Sequence, residues 1–98
     1  MISQAEVLLN MFRDAMLDKL KLRAAKHPDD NFLTMSLEDM AKYPLDSITE
    51  HMNLEMEELF TARGFGGHAA ARKEAVDVAN MALIEWALRY ARDTKNVK

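Results

Sequence analysis

The chain has 98 residues, of which 49% are apolar and 30% are charged, and its formal net charge is −3 at pH 7. This composition is typical of a folded globular domain with one modest core, and it excludes an intrinsically disordered chain. Because the net charge is negative, the chain has no general electrostatic attraction to nucleic acid or to an anionic membrane, and we expect neither as a partner.

The N-terminal segment predicts a long helix. Residues 1–4 show no basic segment followed by an apolar run, so we expect no signal peptide. The chain has no cysteine, which excludes disulfides and is compatible with a reducing compartment, and we therefore expect a cytoplasmic protein. Ser3 and Glu6 form a capping-box pattern, which predicts a helix that ends near His27, before Pro28.

The middle of the chain predicts a loop, a short helix and a second long helix. The Pro-Asp-Asp-Asn segment at 28–31 indicates the loop. A Ser-x-x-Asp pattern at 36–39 predicts the start of a short helix that ends before Pro44. A Ser-x-x-Glu pattern at 47–50 is a further capping box, for a helix ending near Ala62, although Pro44 as a first helical residue favours an earlier start.

The C-terminal third predicts the least polar helix. All three glycines fall within residues 64–67 and predict a turn between helices. We expect the last helix to run from about Ala69 to Asp93, with a frayed tail over 94–98. Most residues from 74 to 91 are apolar and lie all round the helix, so it should be buried on most sides.

These elements predict an all-α fold, a helical bundle of three main helices and one short helix. On the first helix, Leu8, Phe12 and Met16 form part of the predicted core face. Since a chain of this length offers few neighbours to a helix that is apolar all round, we expect a homodimer or homotetramer that completes a four-helix bundle. Ile84→Glu or Leu88→Glu should then dissociate or unfold the assembly, whereas Arg92→Glu, near the expected frayed end, should do neither.

Two pairs of acidic residues, each with a spacing of three, are the most informative feature of the chain. Glu55 and Glu58 lie roughly 60° apart at the edge of an apolar stripe, while Glu57 points to the solvated face. Glu74 and Asp77 form the second pair, and Asp77 lies inside an apolar sector of the last helix. A buried carboxylate must be paired, protonated or bound to a metal. Four converging carboxylates therefore predict a site for a hard divalent cation, and pairing with a basic residue is the alternative.

The first helix carries the opposite charge. Lys19, Arg23 and Lys26 continue its core face toward the C-terminal end, whereas Lys21 points away. Inward-facing cations neutralise carboxylates or bind phosphate oxygens. The alternative is an ordinary basic helix end, favoured by the helix dipole. The three histidines lack metal-binding spacing, so we expect no zinc site.

The order of these motifs resembles a known family. An ExxEL segment at 55–59, a turn, and an EAxDVAN segment at 74–80 together are similar to the MazG-like, all-α nucleoside triphosphate pyrophosphohydrolases. Residues 11–20 and 36–39 extend the resemblance to small phage and bacterial members across most of the chain. The resemblance implies that residues 1–98 form one such domain and that it assembles as a dimer or tetramer.

The resemblance also implies a reaction. It is magnesium-dependent cleavage between the α and β phosphates of a nucleoside triphosphate, by a metal-activated water, giving a monophosphate and pyrophosphate. Glu55, Glu58, Glu74 and Asp77 are then expected to be the catalytic ligands of Mg²⁺, for which Mn²⁺ can substitute. Asn80, one turn beyond Asp77, is expected to hydrogen-bond the sugar or base. The expected phosphate contacts lie on the first helix: Lys19, Arg23 and Lys26.

Two alternatives stay open at this point. One is a non-catalytic helical interaction module, whose acidic pairs are solvent charges or buried salt bridges and whose behaviour is indifferent to Mg²⁺. The other is a degenerate relative that binds nucleotide without turnover. Arg23, Lys26 and His27 reproduce only part of the basic segment found in relatives, and this keeps the second alternative open.

Overall fold

The computed structural model describes residues 2–96, with side chains described through Thr94. Within these residues it contains helices and no strand, which confirms the predicted all-α class with three long helices and one short helix. No helix among them is long and apolar enough to cross a membrane. The elements follow in the order α1 (Gln4–Lys26), a 3-10 turn (Phe32–Thr34), α2 (Leu37–Lys42), α3 (Leu45–Phe65) and α4 (Gly67–Asn96).

Two predicted serine caps are confirmed. The Ser3 hydroxyl accepts a hydrogen bond from the backbone N–H of Glu6 at 3.1 Å, and α1 begins at the next residue after the serine. The Ser36 hydroxyl accepts from the backbone N–H of Asp39 at 3.1 Å and starts α2 in the same way. Each serine satisfies a backbone donor that the first helical turn leaves without a partner.

The predicted cap at residue 47 is wrong. Helix α3 begins at Leu45, so Ser47 lies inside the first turn and caps nothing. The earlier start that Pro44 suggested is correct, although the proline is the residue before the helix and not its first member. Its fixed φ, observed at −65°, and its missing N–H suit a chain that leaves one helix and enters the next.

The connection between α3 and α4 is shorter than predicted. Helix α3 continues through Gly64 to Phe65 and α4 starts at Gly67, so Gly66 alone separates them. Gly67 has a φ of +76°, which L side chains rarely adopt, and a Cβ on Gly66 would lie 2.7 Å from the Cβ of Ala70. Both glycines are therefore required for this tight corner.

The C-terminal boundary of α4 also differs from the prediction. The helix continues to Asn96 instead of ending at Asp93. Part of the predicted frayed tail, Val97 and Lys98, lies outside the described residues. Arg92 is well inside the helix, and its guanidinium donates to the backbone carbonyls of Met40 and Tyr43. The expected position of Arg92 near a frayed end is wrong, because the helix continues past it and its side chain links α4 to the end of α2.

Helix α4 is the centre of the fold and contacts α1, α2 and α3. The core cluster consists of Ile48 on α3 and Met81 and Leu88 on α4, and Leu88 is only 1% exposed. Partly buried side chains from the loop, α2, α3 and α4 surround this cluster: Met35, Met40, Tyr43, Leu45, Met52 and Ile84.

The single chain leaves apolar side chains exposed that the sequence predicted to be buried. Every residue from Ile2 to Asp14 is exposed, including Leu8 and Phe12 of the predicted core face of α1. On α4, Trp86 is 65% exposed, so this helix is not buried on most sides within one chain. The reason is that the two other long helices and the short α2 cannot surround the full circumference of α4.

Candidate metal centre and adjoining cleft

Three glutamates come together where α3 and α4 pack. One carboxylate oxygen from each of Glu55, Glu58 and Glu74 lies within 4.8 Å of the others. The corner at Gly66 explains why these side chains lie close together. Helices α3 and α4 form the most extensive helix pair, and Glu58 and Glu74 are equally distant from that glycine along the chain. The spacing of three then puts Glu55 beside Glu58 on α3.

Two of these glutamates each have one carboxylate oxygen that accepts no hydrogen bond from the described residues. Within residues 2–96, Oε2 of Glu55 and Oε2 of Glu74 are buried and form no hydrogen bond. Glu58, in contrast, is exposed, although its carboxylate reaches the group. Buried carboxylate oxygens lose their bound water. A cation, a hydrogen-bond donor or a proton must replace that water.

The electrostatics of the group favour an added positive charge. Burial, followed by the negative charges of Glu58 and Asp77, raises the pKa of Glu55 to about 7. Burial also raises the pKa of Glu74, with further contributions from Asp77 and Glu58 and an opposing one from Lys19. In both shifts burial is the largest cause and repulsion between the carboxylates adds to it, and a bound cation would offset that repulsion.

Asp77 takes a different place from the other three predicted ligands. It is not part of the three-glutamate group, and its Oδ1 lies 3.1 Å from Nζ of Lys19 on α1. The sequence left open this pairing with a basic residue, and the structure shows it. The pair is partly buried, and Asp77 is still near enough to act on the pKa of Glu55 and Glu74.

His51 is a site residue that the sequence reasoning missed. Its Nε2 lies 3.4 Å from Oε1 of Glu55, one helical turn further along α3. The spacing of four between the two residues was visible in the sequence, but the histidines were considered only as zinc ligands. The imidazole therefore lies beside the carboxylate of Glu55 at the edge of the glutamate group.

A cleft of about 500 Å³ adjoins the carboxylates and brings together all four predicted substrate residues. Lys19, Arg23 and Lys26 form its basic side, and Asn80 also lines it. Glu55 belongs to both the cleft and the glutamate group. The apolar part of the lining comes from the 3-10 turn, α1, α3, α4 and the segments around α2: Leu20, Phe32, Met35, Tyr43, Ile48, Met81, Ile84 and Leu88.

Asn80 holds helices together as well as lining the cleft. Its Nδ2 donates to the backbone carbonyl of Met16 at 3.2 Å, which ties α4 to α1. Its Oδ1 is buried and has no partner among the described residues. One N–H of the amide is therefore used in helix packing, and the buried amide oxygen is left as an acceptor.

The chain matches no protein-family model, no curated protein and no solved structure. The cleft combines carboxylates with basic side chains. This combination suits an anionic ligand that binds together with a hard metal ion.

Proposed function

We propose that the protein is a Mg²⁺-dependent nucleoside triphosphate pyrophosphohydrolase, which cleaves (d)NTP to (d)NMP and pyrophosphate. One observation carries the proposal: carboxylate oxygens of Glu55, Glu58 and Glu74 lie within 4.8 Å of one another at the edge of a cleft with a basic side. The resemblance to the MazG-like pyrophosphohydrolases supports the reaction type.

The carboxylates fit a magnesium ion. Mg²⁺ prefers carboxylate, phosphate and water oxygens, and the buried Oε2 atoms of Glu55 and Glu74 lack a partner among the described residues. In this proposal Glu55, Glu58, Glu74 and Asp77 hold Mg²⁺ or Mn²⁺. When bound, the cation would offset charge on phosphate oxygens and lower the pKa of the attacking water.

The other residues of the cleft bind and orient the substrate. Lys19, Arg23 and Lys26 hold phosphate oxygens through charged hydrogen bonds. Because Lys19 already contacts Asp77, a phosphate bound to Lys19 is held beside the carboxylates. The apolar lining takes the flat face of the base and excludes water from it, and the amide oxygen of Asn80 accepts a hydrogen bond from the sugar or base.

The same proposal includes a homodimer or homotetramer that completes a four-helix bundle. The chain exposes 7389 Å², whereas a compact monomer of its mass exposes about 5700 Å². Its radius of gyration is 15.2 Å, against about 12.6 Å for a compact chain of this length. The excess area, about 1700 Å², exceeds the roughly 800 Å² per partner of a standard interface. Exposed apolar residues on α1 and α4 supply the surface, including the stacked Trp86 and Tyr90.

One observation favours the non-catalytic alternative. The Lys19–Asp77 ion pair shows that at least one of the four carboxylates has a structural partner. In a helical interaction module, such salt bridges would be the whole role of the acidic residues. The two functions differ in one measurable property, since only the enzyme needs Mg²⁺.

The test is an assay of pyrophosphate release over a panel of canonical and damaged nucleoside triphosphates, with and without Mg²⁺. We expect at least one nucleotide to give monophosphate and pyrophosphate only when Mg²⁺ is present. Glu58→Gln should remove this activity, and the exposed neighbour Glu57→Gln should retain it. Orthophosphate as the first product would contradict the assigned reaction, and equal losses in the two variants would contradict the assigned site.

A further inference from the structure

Arg92 forms an unusual contact between α4 and the end of α2. Its Nη1 donates to the backbone carbonyls of Met40 at 3.1 Å and Leu88 at 3.3 Å, and its Nη2 donates to the carbonyl of Tyr43. One guanidinium therefore bridges two carbonyls at the end of α2 and one on its own helix. The planar fork of arginine suits this geometry, because its donors point in fixed directions.

Helix α2 depends on such a partner. It has only six residues, from Leu37 to Lys42, and so short a helix is not stable by itself. The carbonyls of its last turn have few donors, and Pro44 has no N–H to offer them. Arg92 supplies charged donors at this point, and it does so from the most central helix of the fold.

The end of α2 also forms one wall of the cleft. Tyr43 lines the same cleft as the basic side chains of α1 and packs against the core cluster that includes Leu88. Met40 packs against the same cluster without lining the cleft. A displacement of the corner between α2 and α3 would therefore move the Tyr43 side chain and change the width of the cleft.

We propose that Arg92 is a positioning residue for the cleft. It touches no cleft ligand itself, and it acts by holding the carbonyl oxygens of Met40 and Tyr43, which places the Tyr43 wall. The consequence for substrate binding rests on the proposed function, whereas the consequence for the order of α2 does not. Loss of the contact weakens binding of the substrate and of the transition state to the same extent. It therefore raises KM and leaves kcat nearly unchanged.

The experiment compares Arg92→Met with two control variants. Arg89→Met removes the same side chain three residues earlier, where it is exposed and forms an ion pair with Glu85. Ala62→Gly lowers stability through a buried position on α3 that lines neither the cleft nor the glutamate group. Amide hydrogen exchange and steady-state kinetics are measured for all three and for the wild type.

We expect Arg92→Met to raise KM at least about tenfold, with kcat within about twofold. Exchange should rise within residues 37–43 and stay unchanged in α1. Arg92→Lys should recover part of both effects, because lysine keeps the charge without the fork. Both control variants should retain the wild-type KM.

The proposal is overturned if exchange in residues 37–43 is the same in Arg92→Met and wild type. It is also overturned if KM does not change, or if Ala62→Gly raises KM equally, since general destabilisation would then explain the result. A wild-type protein that turns over no nucleotide would refute the proposed function instead. In that case the exchange result alone decides whether Arg92 holds the corner.

Discussion

The charged side chains near the two ends of the packed part of α4 differ in the partners that the fold gives them. Near its start, Glu74 joins Glu55 and Glu58, and buried oxygens there have no protein partner within residues 2–96. Near its end, Arg92 donates to three backbone carbonyls. One end has negative charge in excess of its partners, and the other has a single cation with several acceptors.

This difference separates a site from a structural contact. A buried charge whose hydrogen bonds are all made within the fold stabilises that fold and needs nothing from outside. A group of carboxylates that raise one another's pKa is costly to keep together, and folding alone gives no reason for it. We therefore assign binding to the glutamate end and positioning to the Arg92 end.

The largest expected effect is on catalysis at the glutamate end. If the four carboxylates hold Mg²⁺ as proposed, Glu55→Gln, Glu58→Gln, Glu74→Gln and Asp77→Asn should each lower turnover at least about a hundredfold, because each substitution removes a charge while keeping the side-chain shape. Helicity measured by circular dichroism should be unchanged. Glu57→Gln is the matched control. Full activity in any of the four variants would remove that residue from the site.

The next effect is on stability at the Arg92 end. Arg92→Glu places an anion against the carbonyls of Met40 and Tyr43 and should lower the free energy of unfolding by about 2–4 kcal/mol. Arg89→Glu, at an exposed ion pair, should lower it by no more than about 0.5 kcal/mol. Urea denaturation of both variants measures the difference. Equal values would show that the Arg92 contact contributes nothing beyond a surface charge.

Metal binding should stabilise the glutamate end to a similar or smaller extent. A ligand that binds only the native state adds about 2.7 kcal/mol at a hundredfold excess over Kd. Mg²⁺ or Mn²⁺ at constant ionic strength should therefore raise the melting temperature of the wild type. The rise should shrink in Glu74→Gln and persist in Glu57→Gln. Identical shifts in all three proteins would indicate general screening of charge.

The last effect is the pH dependence of stability without divalent cations, which solvent screening of these partly exposed carboxylates reduces. The pKa of Glu55 is about 7 in the folded protein against an ordinary value of 4.5, so the folded state keeps a proton that the unfolded chain releases. The stability contributed by this group is complete below pH 4.5 and is lost as the pH rises through 7. Glu55→Gln cannot ionise and should lose less stability between pH 4.5 and 8. Parallel curves for variant and wild type would argue against the shifted pKa.

Much of the local structure was predictable because it depends on neighbouring residues. Ser3 and Ser36 start their helices as expected, since a cap needs only the backbone N–H three residues later. Within α3, the periodicity of the helix places Glu55 beside Glu58 and turns Glu57 to the solvent. Such a pattern does not fix a helix start by itself, however, since the same pattern at Ser47 falls inside the first turn of α3.

The tertiary structure decided which of these local features meet. The single-residue corner at Gly66 sets the register that brings Glu74 to Glu58, and the packing of α1 on α4 gives Asp77 a partner in Lys19. Arg92 reaches carbonyls about fifty residues away in sequence, and no periodicity indicates that contact. Helical spacing is a short-range property of the backbone, whereas contacts between side chains on different helices depend on how whole helices pack.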